Sequence, residues 1–200
     1  MISLAYITWN EAKYIERSIQ SAKAVATEIV VLDAKSDDGT PDICARLGAK
    51  VISESWRDDF SYARNILKGA CTQPWIFSLD GDEHVEGENL DVLKRAASAA
   101  AADGIVAFQF PRKHHYPSHD PQSPFFGPPF YPDFQTRLFK NVPEIFYSGR
   151  VHEGVVQSIE VAQLGGIGRV PVCIHHHMFR GDQAKYEVSK ASYYDKLGKA

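Results

Sequence analysis

The sequence predicts an α/β protein: a mostly parallel sheet flanked by helices, followed by a β-richer C-terminal half. Three observations lead there. Strand-length apolar runs alternate with helix-length apolar stripes over the first 110 residues, the order in which helices wind around a parallel sheet. The run Trp75 to Leu79 is apolar without a break, as in a strand covered on both faces. The alternation stops at Pro111, and seven of the eleven prolines lie between there and Pro132, in a segment that cannot be helical and is long for a plain connection.

Ile2 to Ile7 reads as the first strand, with Thr8-Trp9-Asn10-Glu11 as the turn behind it. Tyr14 to Ala26 follows as a helix that puts Ile15, Ile19, Ala22 and Ala26 on one stripe. Glu28 to Leu32 is a second strand ending in Asp33. The polar loop Ser36 to Thr40 leads into a short helix to Leu47, with Thr40 as N-cap and Pro41 at the first helical position. Lys50 to Ser53 is a third strand, and Asp58 or Asp59 caps a helix running to Ala70, ahead of the Trp75 strand. An alanine-rich helix from about Leu90 to Ala102 ends at Gly104, before a strand from Ile105 to Phe110. Beyond Pro111 the strand candidates are Phe134 to Phe139, Val151 to Gln157 and Val170 to His175, and a last helix begins near Asp182. With no internal repeat or linker, one domain over residues 1–200 is expected, in two halves, 1–110 and 111–200. Lys185 to Ala200 look helical and stop without a cap, as in a truncated chain or one domain of a longer one.

Composition narrows the function classes. Lys plus Arg number 22 and Asp plus Glu 25, a net charge of −3, so there is no electrostatic footprint for nucleic acid and no polybasic arm. No signal-peptide pattern opens the chain and no apolar run reaches transmembrane length, which leaves only a peripheral membrane contact open. Cys44, Cys71 and Cys173 are odd in number and form no CxxC. A reduced, cytoplasmic setting is the expectation.

The first four strands end in Thr8 to Glu11, Asp33, Glu54 and Asp80/Asp82, and in a parallel sheet these groups gather at one edge, where ligands bind. Asp80-Gly81-Asp82 offers two hard oxygen donors one residue apart, with Gly81 permitting a tight turn. Such a pair suits Mg2+ or Mn2+ that also holds a diphosphate, although Asp-Gly is also a common turn. Neither GxGxxG nor GxxxxGK[ST] occurs, so a metal must neutralise phosphate in place of a glycine cradle, with Arg64 as helper. Asp33 can accept from a base imide or a ribose hydroxyl.

The motifs TWNEAKYIERSI, EIVVLDAKSDDGT, SYARNILKGA and WIFSLDGDE together resemble the family-2 glycosyltransferases, in the family's order and spacing, over about residues 1 to 110. The later TRLFKN, GRVHEGV and IHHHMF are similar to a bacterial branch acting on lipid-linked glycans, lipopolysaccharide core or peptides. The resemblance implies the nucleotide-diphospho-sugar transferase (GT-A) fold, with residues 1–110 as the nucleotide-sugar half and 111–200 as the acceptor half. It implies that Thr8, Asn10 and Glu11 border the nucleotide and that Asp33 recognises the base, typically uracil. Arg64 would lie near the nucleotide-sugar, Asp80 near the ribose or metal, and Asp82 on the metal itself. The implied donor is a nucleotide-diphospho-sugar, typically linked to UDP, and the acceptor a glycan, a lipid-linked glycan or a peptide.

Within His175-His176-His177, alternate side chains face opposite ways in a strand, so either His176 or the other two face the site. The family register, with Phe179 as the following aromatic, favours His176 as a metal ligand. Many relatives carry a Glu-Asp pair after the fifth strand, and this chain has none there. Glu153 is therefore the first candidate for the general base and Asp133 the second, with Arg137 as a cation that orients the base or holds phosphate. Glu83 reads as a turn carboxylate, and His114 and His115 receive no role. The expected activity is inverting, metal-dependent sugar transfer. The rivals are a nucleotide-sugar binder without catalysis and a nucleotidyltransferase of similar fold.

Overall fold

The computed structural model describes residues 1–86, 90–100, 102–116 and 131–177. Phe125, Phe126, Phe130, Phe179 and the helix expected from Asp182 lie outside them. The strands are β1 (Ile2–Thr8), β2 (Glu28–Asp33), β3 (Lys50–Ser53), β4 (Trp75–Asp80), β5 (Glu83–Val85), β6 (Ile105–His115), β7 (Asp133–Lys140), β8 (Gly166–Arg169) and β9 (Ile174–His177). The helices are α1 (Ile15–Ala22), α2 (Thr40–Arg46), α3 (Phe60–Ala70), α4 (Asp91–Ala99) and α5 (Val156–Val161), and a 3-10 turn, Lys23–Val25, extends α1.

One sheet runs β3-β2-β1-β4-β7-β6-β9-β5, with β8 also on β6. β3, β2, β1 and β4 pair in parallel. β7 is antiparallel to both β4 and β6, so β6 again runs in the direction of β4. β8 and β9 pair in parallel with β6, and β5 is antiparallel to β9. The sheet is thus mostly parallel but mixed, with β7 and β5 reversed. The alternation of apolar residues explains the two layers of core. Leu4, Tyr6, Trp75, Phe77 and Leu79 face one cluster with Ile15, Ile19 and Leu93 from α1 and α4. Ala5 and Ile76 face the other with Ala63 and Leu67 from α3 and Ile159 from α5.

Three expectations are corrected and one is narrowed. Thr40 is the first residue of α2 rather than its cap; Gly39, at φ 88°, precedes it. Asp59, not Asp58, caps α3, its side chain accepting the Tyr62 N–H at 2.9 Å. Residues 151–155 bend around His152 at φ 57°, with Gly154 bridged to Ser148, before α5, where a strand was expected; a short apolar run does not distinguish strand from helix. Val170 to His175 is broken by Pro171 between β8 and β9. β6 moreover continues through Pro111, because its outer partner changes there from β8, last paired at Gln109, to β9, first paired at Arg112. A residue without an N–H is tolerated at such a gap.

Candidate active site

The ends of β1 and β4 and the start of β7 open on a cleft of about 1440 Å3 that Thr8, Glu11, Arg64, Asp80, Asp82, Arg137, Glu153 and His176 all line. Two loops form its wall on the β1–β2 side. Thr40 Oγ1 accepts the Glu11 N–H at 2.8 Å, and Ser36 Oγ accepts the Asn10 N–H at 2.8 Å. Asn10 Oδ1 accepts the Asp37 N–H at 3.0 Å. Asp33 is 1% exposed; it accepts from Ser36 Oγ at 2.6 Å, Ser36 N–H at 2.9 Å and Thr8 Oγ1 at 3.1 Å. Asp33 and Asn10 therefore fasten the SDDGT loop to the β1 turn from behind, while Thr8 and Glu11 reach the cleft. A side chain on Gly81 would have its Cβ 2.8 Å from Glu11 Cγ, so glycine there admits Glu11 against the aspartate turn.

The opposite wall is a chain of alternating charges. Arg64 Nε donates to Glu153 Oε1 at 2.5 Å, its Nη2 to Asp80 Oδ1 at 2.7 Å and its Nη1 to Ser78 Oγ at 3.2 Å. Arg137 Nη2 bridges Asp80 Oδ2 at 2.8 Å and Glu83 Oε1 at 2.6 Å. Arg112 bridges the same Glu83 oxygen at 3.1 Å and Asp133 Oδ2 at 2.5 Å. His114 links Asp133 to His176, with Nε2 3.2 Å from Asp133 Oδ2 and Nδ1 2.9 Å from His176 Nδ1. His176 Nε2 lies 3.6 Å from Asp82 Oδ2.

The electrostatics follow. Burial alone would push the Asp80 carboxyl up, but Arg137 and Arg64 hold it well below the usual carboxylate range. Asp133 is also held down, against burial, by hydrogen bonds from Gln135 and Arg112. Burial, then Arg112 and His176, push the His114 imidazole down, so it is neutral at pH 7. Both Asp80 oxygens are thus taken by arginines, and Asp80 does not join Asp82 and His176 as the expected third ligand. Among the described residues no group of three or more His, Cys, Asp or Glu is placed to hold a metal. Two donors do meet, Asp82 and His176. That set fits a divalent cation whose remaining coordination comes from phosphate oxygens, as Mg2+-type sites commonly do.

The family model of glycosyl transferase family 2 matches residues 3–151. The chain belongs to glycosyl transferase family 2. An uncharacterized glycosyltransferase of Rickettsia felis is 30% identical over 196 residues, 96% of this chain and 67% of its own length. Other relatives are longer, and the chain spans 37% and 34% of two of them. Staphylococcus aureus TarS, solved with UDP-GlcNAc, shares the fold at a TM-score of 0.65 and 18% identity, covering 92% of this chain and 60% of its own. Mycobacterium tuberculosis glucosyl-3-phosphoglycerate synthase, solved with Mn2+, UDP and phosphoglyceric acid, does so at 0.61 and 16%, covering 99% and 78%.

In this family 2 chain, Arg64 rather than Arg137 holds Glu153, while Arg137 holds Asp80. Glu83 lies in β5, 1% exposed, and accepts the Asp80 N–H at 3.0 Å as well as the two arginines; it is not a turn carboxylate. Sequence reading missed Arg112 and His114. The signal for them was the spacing Arg112-x-His114, which shares a face once β6 is carried through Pro111.

Proposed function

We propose that the chain is the catalytic part of an inverting, metal-dependent glycosyltransferase that moves a sugar from a nucleotide-diphospho-sugar, UDP-linked in our reading, to a glycan, lipid-linked or peptide acceptor. One observation carries it: Glu153, braced by Arg64, shares a single cleft with the Asp82–His176 pair. Asp82 and His176 would hold Mn2+ or Mg2+, which when bound neutralises charge on the departing diphosphate. Thr8 and Glu11 border the nucleotide, and Asp33 and Asn10 hold their loop in place. Arg64 fixes Oε1 of Glu153, which takes the proton of the acceptor hydroxyl as that oxygen bonds the anomeric carbon and the carbon–diphosphate bond breaks. Asp133, the second candidate for the base, is engaged by Arg112, Gln135 and His114, and a carboxylate held below its usual range is a poor base.

TarS with UDP-GlcNAc and the mycobacterial synthase with Mn2+ and UDP support the donor class and the metal by shared fold. We place the chain in the cytoplasm on its free Cys44, Cys71 and Cys173. Among the described residues no helix is long and apolar enough to cross a membrane.

The test is UDP release from UDP-sugars with and without Mn2+. Glu153→Gln is expected to lower the rate about 10²- to 10⁴-fold with donor binding kept, and Asp82→Ala to abolish the Mn2+ response. Unchanged turnover in Glu153→Gln would remove the base from this account.

A further inference from the structure

We propose that His114, anchored by Asp133, is a positioning residue that fixes the tautomer of His176, so that His176 Nε2 presents its lone pair toward Asp82. The proposal rests on the reading of Asp82 and His176 as the metal pair.

The backbone sets the relay. His114 lies opposite His176 in the β6–β9 register, Glu83 opposite His176 in β5–β9, and Arg112 opposite Asp133 in β6–β7. Residues opposite each other share a face, so these side chains meet on the cleft side. The two rings are set edge-on, 65° between planes and 5.0 Å between centroids.

Hydrogen counting then decides the tautomers. A carboxylate only accepts. Asp133 stays a carboxylate because Arg112 donates to its Oδ2 from Nε at 2.9 Å and Nη2 at 2.5 Å, and Gln135 donates to its Oδ1 at 2.8 Å. His114 Nε2, 3.2 Å from the same Oδ2, must therefore carry a hydrogen. In the neutral ring His114 Nδ1 is then an acceptor. It stands 2.9 Å from His176 Nδ1, and two lone pairs do not face each other at that distance, so His176 Nδ1 carries the hydrogen. In a neutral His176 ring Nε2 is then the bare nitrogen, the form that a metal ligand requires. At 3.6 Å it is too far from Asp82 Oδ2 for a hydrogen bond, so the two side chains would be available together to a divalent cation. Asp133 thereby has a role, as anchor of the relay rather than as base.

Two measurements test this on the whole 200-residue chain. Long-range 15N–1H NMR of the metal-free protein at pH 8 reads the tautomers, with His176 assigned by the signal lost in His176→Gln. His176 is expected as Nδ1–H and His114 as Nε2–H; an Nε2–H tautomer at His176 overturns the relay. Mn2+ titration in the presence of UDP, against a protein-free UDP control and followed by the EPR signal of the free ion, reads the consequence. His114→Phe, which keeps a ring but no acceptor, is expected to weaken Mn2+ binding about 10- to 100-fold. His114→Asn, which retains an acceptor near the Nδ1 position, is expected to restore most of it. Equal Mn2+ binding by wild type, Phe and Asn variants with matching melting profiles overturns the proposal. Failure of the wild type to bind Mn2+ at all would instead overturn the metal reading, and the tautomer measurement would still decide the relay by itself.

Discussion

Arg64 answers three acceptors from one guanidinium: Glu153, Asp80 and Ser78. A planar fork with fixed donor directions can do this, and a compact ammonium on a flexible stem cannot. Arg64→Lys should therefore keep charge and lose alignment of Glu153. The expected outcome is a drop in kcat of about 10²-fold with a much smaller change in donor KM; a KM-only effect in steady-state kinetics would show that Arg64 serves donor binding. Asp133→Asn makes the opposite case. At saturating Mn2+ it should keep most of the transfer rate, because Asp133 faces Arg112 and His114 and is not among the residues lining the cleft. Inactivity at every Mn2+ concentration would return Asp133 to the role of base. The sequence exposed Asp80, Asp82, Glu153 and His176 because each stands at or near a strand end or turn. It singled out Arg64 and Arg137 but hid Arg112 and the ion pairs of Glu83, since a buried arginine or glutamate is indistinguishable along the chain from a solvated one. Glu83, buried between Arg137 and Arg112, is the clearest case.

At the scale of elements, α3 carries Arg64 into the site, and its first turn depends on one side chain. Asp59 accepts from the Tyr62 N–H and from Ser61 Oγ. Asp59→Ala should cost about 1 kcal/mol of stability, read as a lower midpoint in urea with an unchanged slope; no shift would mean that the helix start is held by tertiary packing alone. β1, β2, β3 and β4 were legible because their ends and apolar runs are marked by polar turns. β5 and β8 were not. Glu83-His84-Val85 has no apolar alternation, and its order comes from pairing with β9 and from the Glu83 ion pairs. β8 contains two glycines in four residues; an added Cβ on Gly168 would lie 2.8 Å from the Phe108 ring. Close approach of this kind leaves no periodic signature. Pro111 concealed the far half of β6, and with it the histidines that meet β9.

Across the whole molecule, β5, β6 and β9 bring imidazoles together on the sheet face turned away from the cleft. His84 stacks on His175 at 4.9 Å and His115 on His177 at 4.9 Å, with Arg17 Nη2 2.7 Å from His84 Nε2. Burial, then Arg17 and the neighbouring rings, push His84 down to about 4. His115, His175 and His177 are pushed down as well, burial being the largest cause in each. These rings are neutral in the fold, whereas the unfolded chain gains protons below about pH 6.5. Proton uptake by the unfolded chain makes stability fall as pH drops from about 6.5 toward 4. Asp80 and Asp133, held low in the fold, add a second loss only below about pH 4. Melting temperature should decline in two stages on acidification, and His84→Phe should shallow the first; a flat profile between pH 7 and 5 would contradict the neutral cluster. The antiparallel ladder of β5 and β9, closed by the His177 N–H on the Asp82 carbonyl at 3.1 Å, acts as a clasp between distant parts of the chain. A fragment cut where the family match ends, at residue 151, would keep the Thr8–Glu11 wall of the cleft yet forfeit both Glu153 and His176. On the proposed function, such a piece would be a receptor for the donor without the means to transfer it.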